Sequence, residues 1–464
     1  MARVVVAGGS VAGLWAALAL GARGHDVTVV ERDPPPPADP FAWERPGTPQ
    51  LRQSHAFLGK ARALVREREP ELHATLLALG ARETRADDHL PPSLDDTAPR
   101  DSDDDIVTLS ARRPLFDWAL RRHAEAAGVR VVPGNVAGLL TETRAGVPHV
   151  TGVGLEGGEA VAADVVVDAT GRRTRTPRWL AEAGVPLPEW STPCGNRYYT
   201  RYYELPADVA DPPVGRGFVT GMEVDAFVVL VFLGEGRTFS VSVQTEDDDE
   251  PMRVLRHPAA FDAAVRMAPW VEEWLALGAR PLGDPCVMAG QADLVRRTVD
   301  GGRPLVTGLL LAGDATATSN PAFGRGVSLA MAGVELLAAA LGEDEPEVAY
   351  DAAVLREIEP FVRNSRDADE RTRNRWRHRL YGEPLLPPPD GLTFDDVVLA
   401  SLRDRDVWEQ VARSGHLMLS PDAVLADPLV RERTAAVRAT GWTPPAGPPL
   451  PSREDVLAAA NAAL

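Results

Sequence analysis

The sequence predicts an α/β protein: a strand–helix–strand nucleotide-binding unit, interrupted by an inserted antiparallel β-sheet and followed by a helical C-terminal region. Three observations carry this. Residues 3–7, "RVVVA", are a β-branched run that stops at Gly8 and Gly9 and gives way to an Ala/Leu-rich segment reaching Leu20, the pattern of strand, tight turn and helix. From about Trp190 to Gln291 the chain changes to short alternating runs such as "AFVVLVFL" and "TFSVSVQT", separated by Gly, Asp and Pro, which reads as an antiparallel sheet. The strand–helix pattern then returns at "GLLLAGDATATSNPAFGRGVSLAMAGVELLAAAL".

Taken in order, "HDVTVVERD" supplies the second strand and closes a parallel β-α-β unit. The prolines Pro34 to Pro37 stop it, since neither a helix nor a central strand accommodates them. Ala56 to Leu79 is helical in pattern, and the acidic, proline-containing "DDHLPPSLDDTAPRDSDDD" after it reads as an exposed loop or flap. Helix resumes at "RPLFDWALRRHAEAAG", with strands at "VRVVPG" and "ADVVVDATG". Beyond Glu345 the chain reads as a long arginine-rich helix, further helical pieces and a proline-rich tail. The domains expected are a discontinuous nucleotide unit, 1–185 and 290–370, an inserted sheet, 186–289, and a helical region, 371–464.

Composition narrows the function. A chain of 464 residues, 44% hydrophobic and 25% charged, is globular and long enough for more than one unit. Its net charge of -18 repels phosphate backbones and anionic membrane surfaces, so no nucleic-acid partner is expected. No membrane insertion is expected either, because no stretch approaches the ~18 to 20 apolar residues that span a bilayer. The apolar start is broken by glycines and followed by a strand pattern, unlike a secretory leader. Two cysteines, Cys194 and Cys286, make neither a disulfide framework nor a metal cluster by themselves, and a cytoplasmic location follows. The nine histidines show no metal-binding spacing, so no metal site is expected.

The chemistry begins at "GGSVAG", where Gly8, Ser10 and Gly13 take the three positions of G-x-G-x-x-G. The first glycine permits the turn, a small second residue lets a pyrophosphate approach, and the third lets helix pack on strand. The phosphates then meet free N–H groups at a helix N-terminus. Glu31 closes the second strand about 20 residues on, where an acidic side chain meets a ribose hydroxyl. Asp168 ends the strand in "VVVDATG", and Asp314 follows the strand in "LLLAGDATATSNPAFGRGVSLAM", ahead of Pro321, Gly324 and Gly326. Such an aspartate can hold a ribityl hydroxyl, although alone it is more often a cap or turn residue.

These three motifs, in this order, resemble the flavoprotein monooxygenases of the para-hydroxybenzoate hydroxylase type, from the N-terminus to about residue 370. The resemblance implies a Rossmann-like FAD-binding domain of the GR2 kind, with Gly8, Ser10, Gly13 and Glu31 contacting the ADP half of FAD and Arg32 and Val136 counted with them. Arg113 in "SARRPLFDWAL" matches an arginine facing the flavin nucleotide, and Arg52 in "TPQLRQSHAF" one near the pyrophosphate. Asp168 lies in the family's DG motif, here spelled "DATG" with its glycine displaced. Asp314 would hold the ribityl chain, with Pro321, Gly324, Gly326 and Val327 toward the flavin's pyrimidine end. His55 lies in a segment close to the flavin; its plainer reading is a residue making a local hydrogen bond.

The family's mechanism implies that reduced FAD and O2 form a C4a-hydroperoxide that passes one oxygen atom to a largely apolar organic substrate, by hydroxylation or epoxidation, as in bacterial natural-product pathways. NADPH or NADH would supply electrons, directly or through a partner flavin reductase, and the enzyme would be a monomer or homodimer. Two alternatives stay open: an FAD-dependent reductase or oxidase of the same fold, like isoprenoid double-bond reductases, and a non-catalytic flavin- or ligand-binding protein. Related halogenases carry a W-x-W-x-I-P motif and a relay lysine. This chain has no such motif and Lys60, its only lysine, falls in an amphipathic helical pattern, so halogenation is disfavoured.

Four of the six tyrosines crowd into "NRYYTRYYELP" at the start of the inserted sheet. If extended, the segment puts Tyr198, Thr200 and Tyr202 on one face and Tyr199, Arg201 and Tyr203 on the other. Tyr198 and Tyr202 are the expected substrate-positioning face, against the plainer reading of tyrosine as a strand former.

Overall fold

The computed structural model describes residues 1–210, 212, 219–387, 389–445 and 449–464. Its centre is a five-stranded parallel sheet in the order Leu309–Leu311, Val165–Asp168, Arg3–Ala7, Asp26–Glu31, Arg130–Pro133. Both faces are covered, which is why its strands read as near-continuous valine. Helices Val11–Gly21, Arg113–Ala126 and Gly326–Ala340 bury Leu14, Phe116 and Met331 against one face. A three-stranded antiparallel layer, 136–162, lays Val150, Val153 and Leu155 against Val5, Val30 and Val166 on the other. The late strand Leu309–Leu311 joins the edge beside Val165–Asp168, so the unit is completed by sequence from both sides of the insert.

The chain leaves this unit through Glu189–Pro193 and returns through Ala292–Arg296, and these two strands pair antiparallel. Between them lies a six-stranded sheet. Val219–Glu223, Phe227–Leu233, Thr238–Glu246 and Asn196–Glu204 run in that order, and the short strands Arg280–Pro281 and Cys286–Met288 pair with the last. Its register divides two faces cleanly. Opposite Tyr198, Thr200 and Tyr202 stand Gln244, Ser242 and Ser240, a polar face; opposite Tyr199 and Tyr203 stand Val243 and Phe239. The second face packs on helices Pro258–Val265 and Pro269–Leu275 through Phe261, Val271 and Trp274. Tyr203 stacks on Phe239 at 5.4 Å and donates its hydroxyl to Asp262 at 2.6 Å.

Two expectations are corrected. The helical stretch from Ala56 to Leu79 is two helices, Gly59–Arg68 and Pro70–Ala78, because Pro70 cannot continue the first. The acidic segment is not a free loop. Asp103 is fully buried and ion-paired with buried Arg405, Arg100 reaches Asp406 at 2.7 Å, and Ser93 donates to the Leu402 carbonyl at 2.6 Å. Its carboxylates are thus the receiving surface for the helix Arg405–Gly415, and the long separation in sequence hid their partners. The region 371–464 is spread over the molecule. Helix Glu359–Tyr381 runs across its start, while Val456 and Ala460 of Arg453–Ala462 enter the core of the inserted sheet. Among the described residues no helix is long and apolar enough to cross a membrane.

Candidate active site

The glycine turn is built as a cradle. Gly8 has φ +100° and a Cβ there would meet the Ala169 carbonyl at 2.6 Å, so only glycine fits. A Cβ on residue 13 would stand 1.8 Å from the Gly8 carbonyl oxygen, which leaves the helix no room for alanine against the turn. Ser10 precedes helix Val11–Gly21 without making a side-chain cap, so the helix's first N–H groups have no side-chain partner there.

Around this turn lies a buried ionic cluster. Glu31 accepts the Gly9 N–H at 2.6 Å, the Asp33 N–H at 2.8 Å and Arg45 at 3.2 Å, so it braces the glycine turn itself. Arg45 also donates to the Gly9 carbonyl at 3.1 Å and to Asp117 at 3.0 Å. Asp117 in turn accepts from Arg113 at 2.7 and 3.2 Å and from Ser10 at 3.2 Å. Burial pushes the Asp117 carboxyl up, but Arg113 and Arg45 outweigh it and hold the group below its ordinary range.

A second arginine, Arg45, lies closer to the glycine turn than sequence spacing suggests. Arg52 is exposed and its charge acts on Cys286 of the inserted sheet, whereas Arg45 touches the glycine turn. Sequence reading missed Arg45, which no motif marks, and Asp117, whose i,i+4 spacing from Arg113 was a usable signal. Arg32 is exposed beside this cluster, and Val136 starts the antiparallel layer on the far face, packed with Val30 and Leu155.

His55 has a fixed tautomer. Its Nδ1 faces the Gln53 carbonyl at 2.8 Å, an acceptor only, and its Nε2 faces an Arg113 N–H at 3.4 Å. Nδ1 therefore carries the hydrogen and Nε2 accepts. Burial, with Arg113 adding to it, lowers the imidazole to about 3. A neutral histidine of this kind positions Arg113 and is no proton donor at physiological pH.

Asp168 is spent locally. It accepts from the Thr170 N–H at 2.9 Å and hydroxyl at 2.6 Å, and from the Thr174 hydroxyl, tying down the displaced-glycine loop. Asp314 differs: it sits half-buried in the turn Gly313–Ala315 after the strand Leu309–Leu311, with no protein hydrogen-bond donor on its carboxylate among the described residues. Burial raises its carboxyl above the ordinary value, with Arg113 and Arg172 opposing. Beyond it Gly324 has φ +63°, and neither Gly324 nor Gly326 has a neighbour where a Cβ would go. Val327 is buried in the helix core.

Between this turn and the Tyr198 face of the inserted sheet lies a small cavity, partly open to solvent. Gln53, Pro321 and Ala322 line one side, and Tyr198, Leu230, Phe232 and Met288, which share one face of the inserted sheet, line the other. Tyr202 is on the same strand face and donates its hydroxyl to the Gln53 carbonyl at 2.7 Å.

Tyr198 leads to a second buried network that no motif announced. Its hydroxyl donates to Asn320 Oδ1, Asn320 Nδ2 donates to Asp369 at 2.5 Å, and the Asn320 N–H donates to Asp293 at 3.0 Å. Cys194 donates its thiol to Asp293 at 3.7 Å, and ligand-type atoms of Cys194, Asp293 and Asp369 lie within 4.8 Å of one another. Burial raises both carboxyls, since two such groups cannot both be charged at that separation without water.

Residues 96–184 match the family model "Tryptophan halogenase". The match spans helix Arg113–Ala126 and the Asp168 loop, and stops short of the inserted sheet. "Protein Rv3254" of Mycobacterium tuberculosis (strain ATCC 25618 / H37Rv) is 30% identical over 366 residues, covering 70% of each chain. The fold is that of solved flavoprotein structures. Flavin-dependent brominase Bmp2 superposes with TM-score 0.61 at 18% identity, over 95% of this chain and 98% of that one. A probable FAD-dependent monooxygenase of Pseudomonas aeruginosa, pqsL, gives 0.58 at 16%, over 81% and 98%. The Diels-Alderase PyrE3 of pyrroindomycin biosynthesis gives 0.58 at 17%, over 90% and 80%.

Proposed function

The chain belongs to the same family as Protein Rv3254, and from that premise we propose that it is an FAD-dependent monooxygenase acting on a largely apolar organic substrate. The observation that carries the reading is the Asp314 carboxylate, which has no hydrogen-bond donor among the described residues and follows Gly313, a residue packed against Ala12 in the first turn after the glycine cradle. Such a carboxylate is costly without a donor, and a ribityl hydroxyl supplies one.

The residues present fit FAD. Gly8, Ser10, Gly13 and Arg113 would hold its pyrophosphate side, Glu31 and Arg32 its ribose side, Asp314 the ribityl chain, and Gly324, Gly326 and Val327 the pyrimidine end. Arg45 joins them through its contact with Gly9. When bound, FAD supplies the activation of O2 and the oxidising power.

The rest is the chain's own work. Asp117 and His55 fix the Arg113 guanidinium from two sides, so it meets an anion without reorganising. Leu230, Phe232 and Met288 exclude water from their side of the cavity. Electrons come from NADPH or NADH, directly or through a flavin reductase.

Halogenation is the second reading, favoured by the match over residues 96–184. Lys60 does not line the cavity, and its backbone N–H is tied to the His416 carbonyl at 3.0 Å. One experiment separates these readings. The purified, FAD-loaded protein is supplied with reduced nicotinamide or a reductase, labelled dioxygen and a panel of apolar substrates, with and without bromide. Labelled oxygen in the product supports the proposal. Products that require bromide point to halogenation, saturated or dehydrogenated products without label point to a reductase or oxidase, and a protein that takes up no FAD defeats all three.

A further inference from the structure

The Gln53 carbonyl oxygen is a junction between the inserted sheet and the nucleotide-binding unit. Two donors share it: the Tyr202 hydroxyl at 2.7 Å, from the strand Asn196–Glu204, and His55 Nδ1 at 2.8 Å. A carbonyl oxygen has two lone pairs, so it accepts both. Burial raises the Tyr202 phenol above its ordinary value, and its hydrogen stays on the oxygen. His55 then offers Nε2 as an acceptor to Arg113 Nη1 at 3.4 Å, while Asp117 holds the same guanidinium at 2.7 and 3.2 Å. Reversing the imidazole tautomer would face acceptor with acceptor at Gln53 and donor with donor at Arg113. The chain of contacts therefore has one polarity.

The segment that carries this junction is tied to the inserted sheet twice more. Gln53 Nε2 donates to the Cys286 carbonyl at 3.4 Å, and the Ser54 and Ser240 hydroxyls share a hydrogen bond at 2.7 Å. On the other side of Arg113, Arg112 donates its backbone N–H and its Nε to Glu235 at 2.8 and 2.6 Å. Glu235 is buried in the turn between the strands Phe227–Leu233 and Thr238–Glu246. The inserted sheet thus grips the start of helix Arg113–Ala126 directly through Arg112 and indirectly through His55. Strand propensity alone does not account for Tyr202, whose hydroxyl leaves its own sheet to reach a backbone carbonyl of another segment.

Resting on the FAD reading above, we infer that Tyr202 is a positioning residue for the cofactor arginine: acting through the Gln53 carbonyl and His55, it fixes the Arg113 guanidinium for the anionic nucleotide. Without the hydroxyl, the carbonyl that anchors the imidazole loses one of its two donors, and the distance from Nε2 to Arg113 is no longer set by the inserted sheet. The guanidinium must then reorganise when the anion arrives, which weakens binding.

The test is a mutant cycle read by FAD affinity, from fluorescence titration of the apoprotein. Tyr202→Phe should weaken FAD by about three- to tenfold, the scale of one hydrogen bond. His55→Leu should weaken it at least as much, and adding Tyr202→Phe to His55→Leu should cost nothing further, because the path is already cut. Tyr203→Phe removes a tyrosine hydroxyl from the opposite face of the same strand and should leave FAD affinity as in the parent. Nitrogen NMR of histidine-labelled apoprotein reads the link without FAD: the His55 signal, assigned by its loss in His55→Leu, should show the hydrogen on Nδ1 and should shift in Tyr202→Phe. Unchanged affinity in Tyr202→Phe, losses that multiply in the double variant, an equal loss in Tyr203→Phe, or a hydrogen on Nε2 overturns the inference. A parent protein that takes up no FAD defeats the proposed function, and the His55 signal and its response to Tyr202→Phe still decide the link.

Discussion

The Gly8 carbonyl oxygen and Gly13 are packed so closely that a Cβ on residue 13 would stand 1.8 Å from that oxygen, with Val6 at 3.3 Å behind it. Neither neighbour can yield, one being backbone and the other a buried strand residue. Gly13→Ala should therefore lever the helix off the strand, cost about 3 kcal/mol in denaturant unfolding, and abolish FAD retention on gel filtration. Gly326→Ala, where a Cβ meets only open space, should unfold like the parent; any loss there should appear in FAD affinity alone.

Asp314 separates cofactor binding from stability. Its carboxylate has no hydrogen-bond donor among the described residues, and burial opposes its charge, so removing it should leave the apoprotein as stable as before or slightly more so. Asp314→Ala should nonetheless weaken FAD by about ten- to a hundredfold, the scale of a hydrogen bond to a charged group. Fluorescence titration of apoprotein with FAD, beside a thermal melt without it, checks both halves. Equal affinity would remove Asp314 from the cofactor site.

The buried pair Asp103–Arg405 should show its desolvation cost. Among the described residues Asp103 Oδ1 and Arg405 Nε and Nη1 have no hydrogen-bond partner, so the pair is incompletely compensated. Asp103→Ala or Arg405→Ala alone strands a buried charge and should cost about 3 to 5 kcal/mol, exposing the C-terminal helices to limited proteolysis. Asp103→Leu with Arg405→Met should recover the parent's resistance or exceed it.

What the sequence disclosed and what it hid divide along a physical line. The glycine turn, Asp314 and the two faces of the tyrosine strand are written in local spacing, so strand period and turn chemistry sufficed to find them. Arg45, Gln53 and the Asp293–Asp369 pair act through contacts between segments far apart in the chain, which no local pattern encodes. The acidic loop failed for the same reason: a run of carboxylates looks solvated until Arg100, Arg405 and Arg413 are brought to it. Tyr202 shows the limit of periodicity, which gives a side chain's face but not the partner its hydroxyl finds.

The carboxyl pair yields a pH dependence with a defined sign. Asp293 and Asp369 are faced by the Cys194 thiol, the Asn320 amide, the Tyr198 hydroxyl and the Arg325 guanidinium. Burial, then Asp293, pushes Asp369 up to about 8, so the folded protein holds a proton that the unfolded chain releases near pH ~3.9. The folded state binds more protons between those values, and this stability is fully present below the lower one and lost as pH rises through the upper. Asp369→Asn removes the titration while keeping an oxygen for Asn320 Nδ2. Its melting temperature should therefore fall less than the parent's between about pH 5 and pH 9. Parallel stability curves for parent and variant would show that the pair does not share a proton.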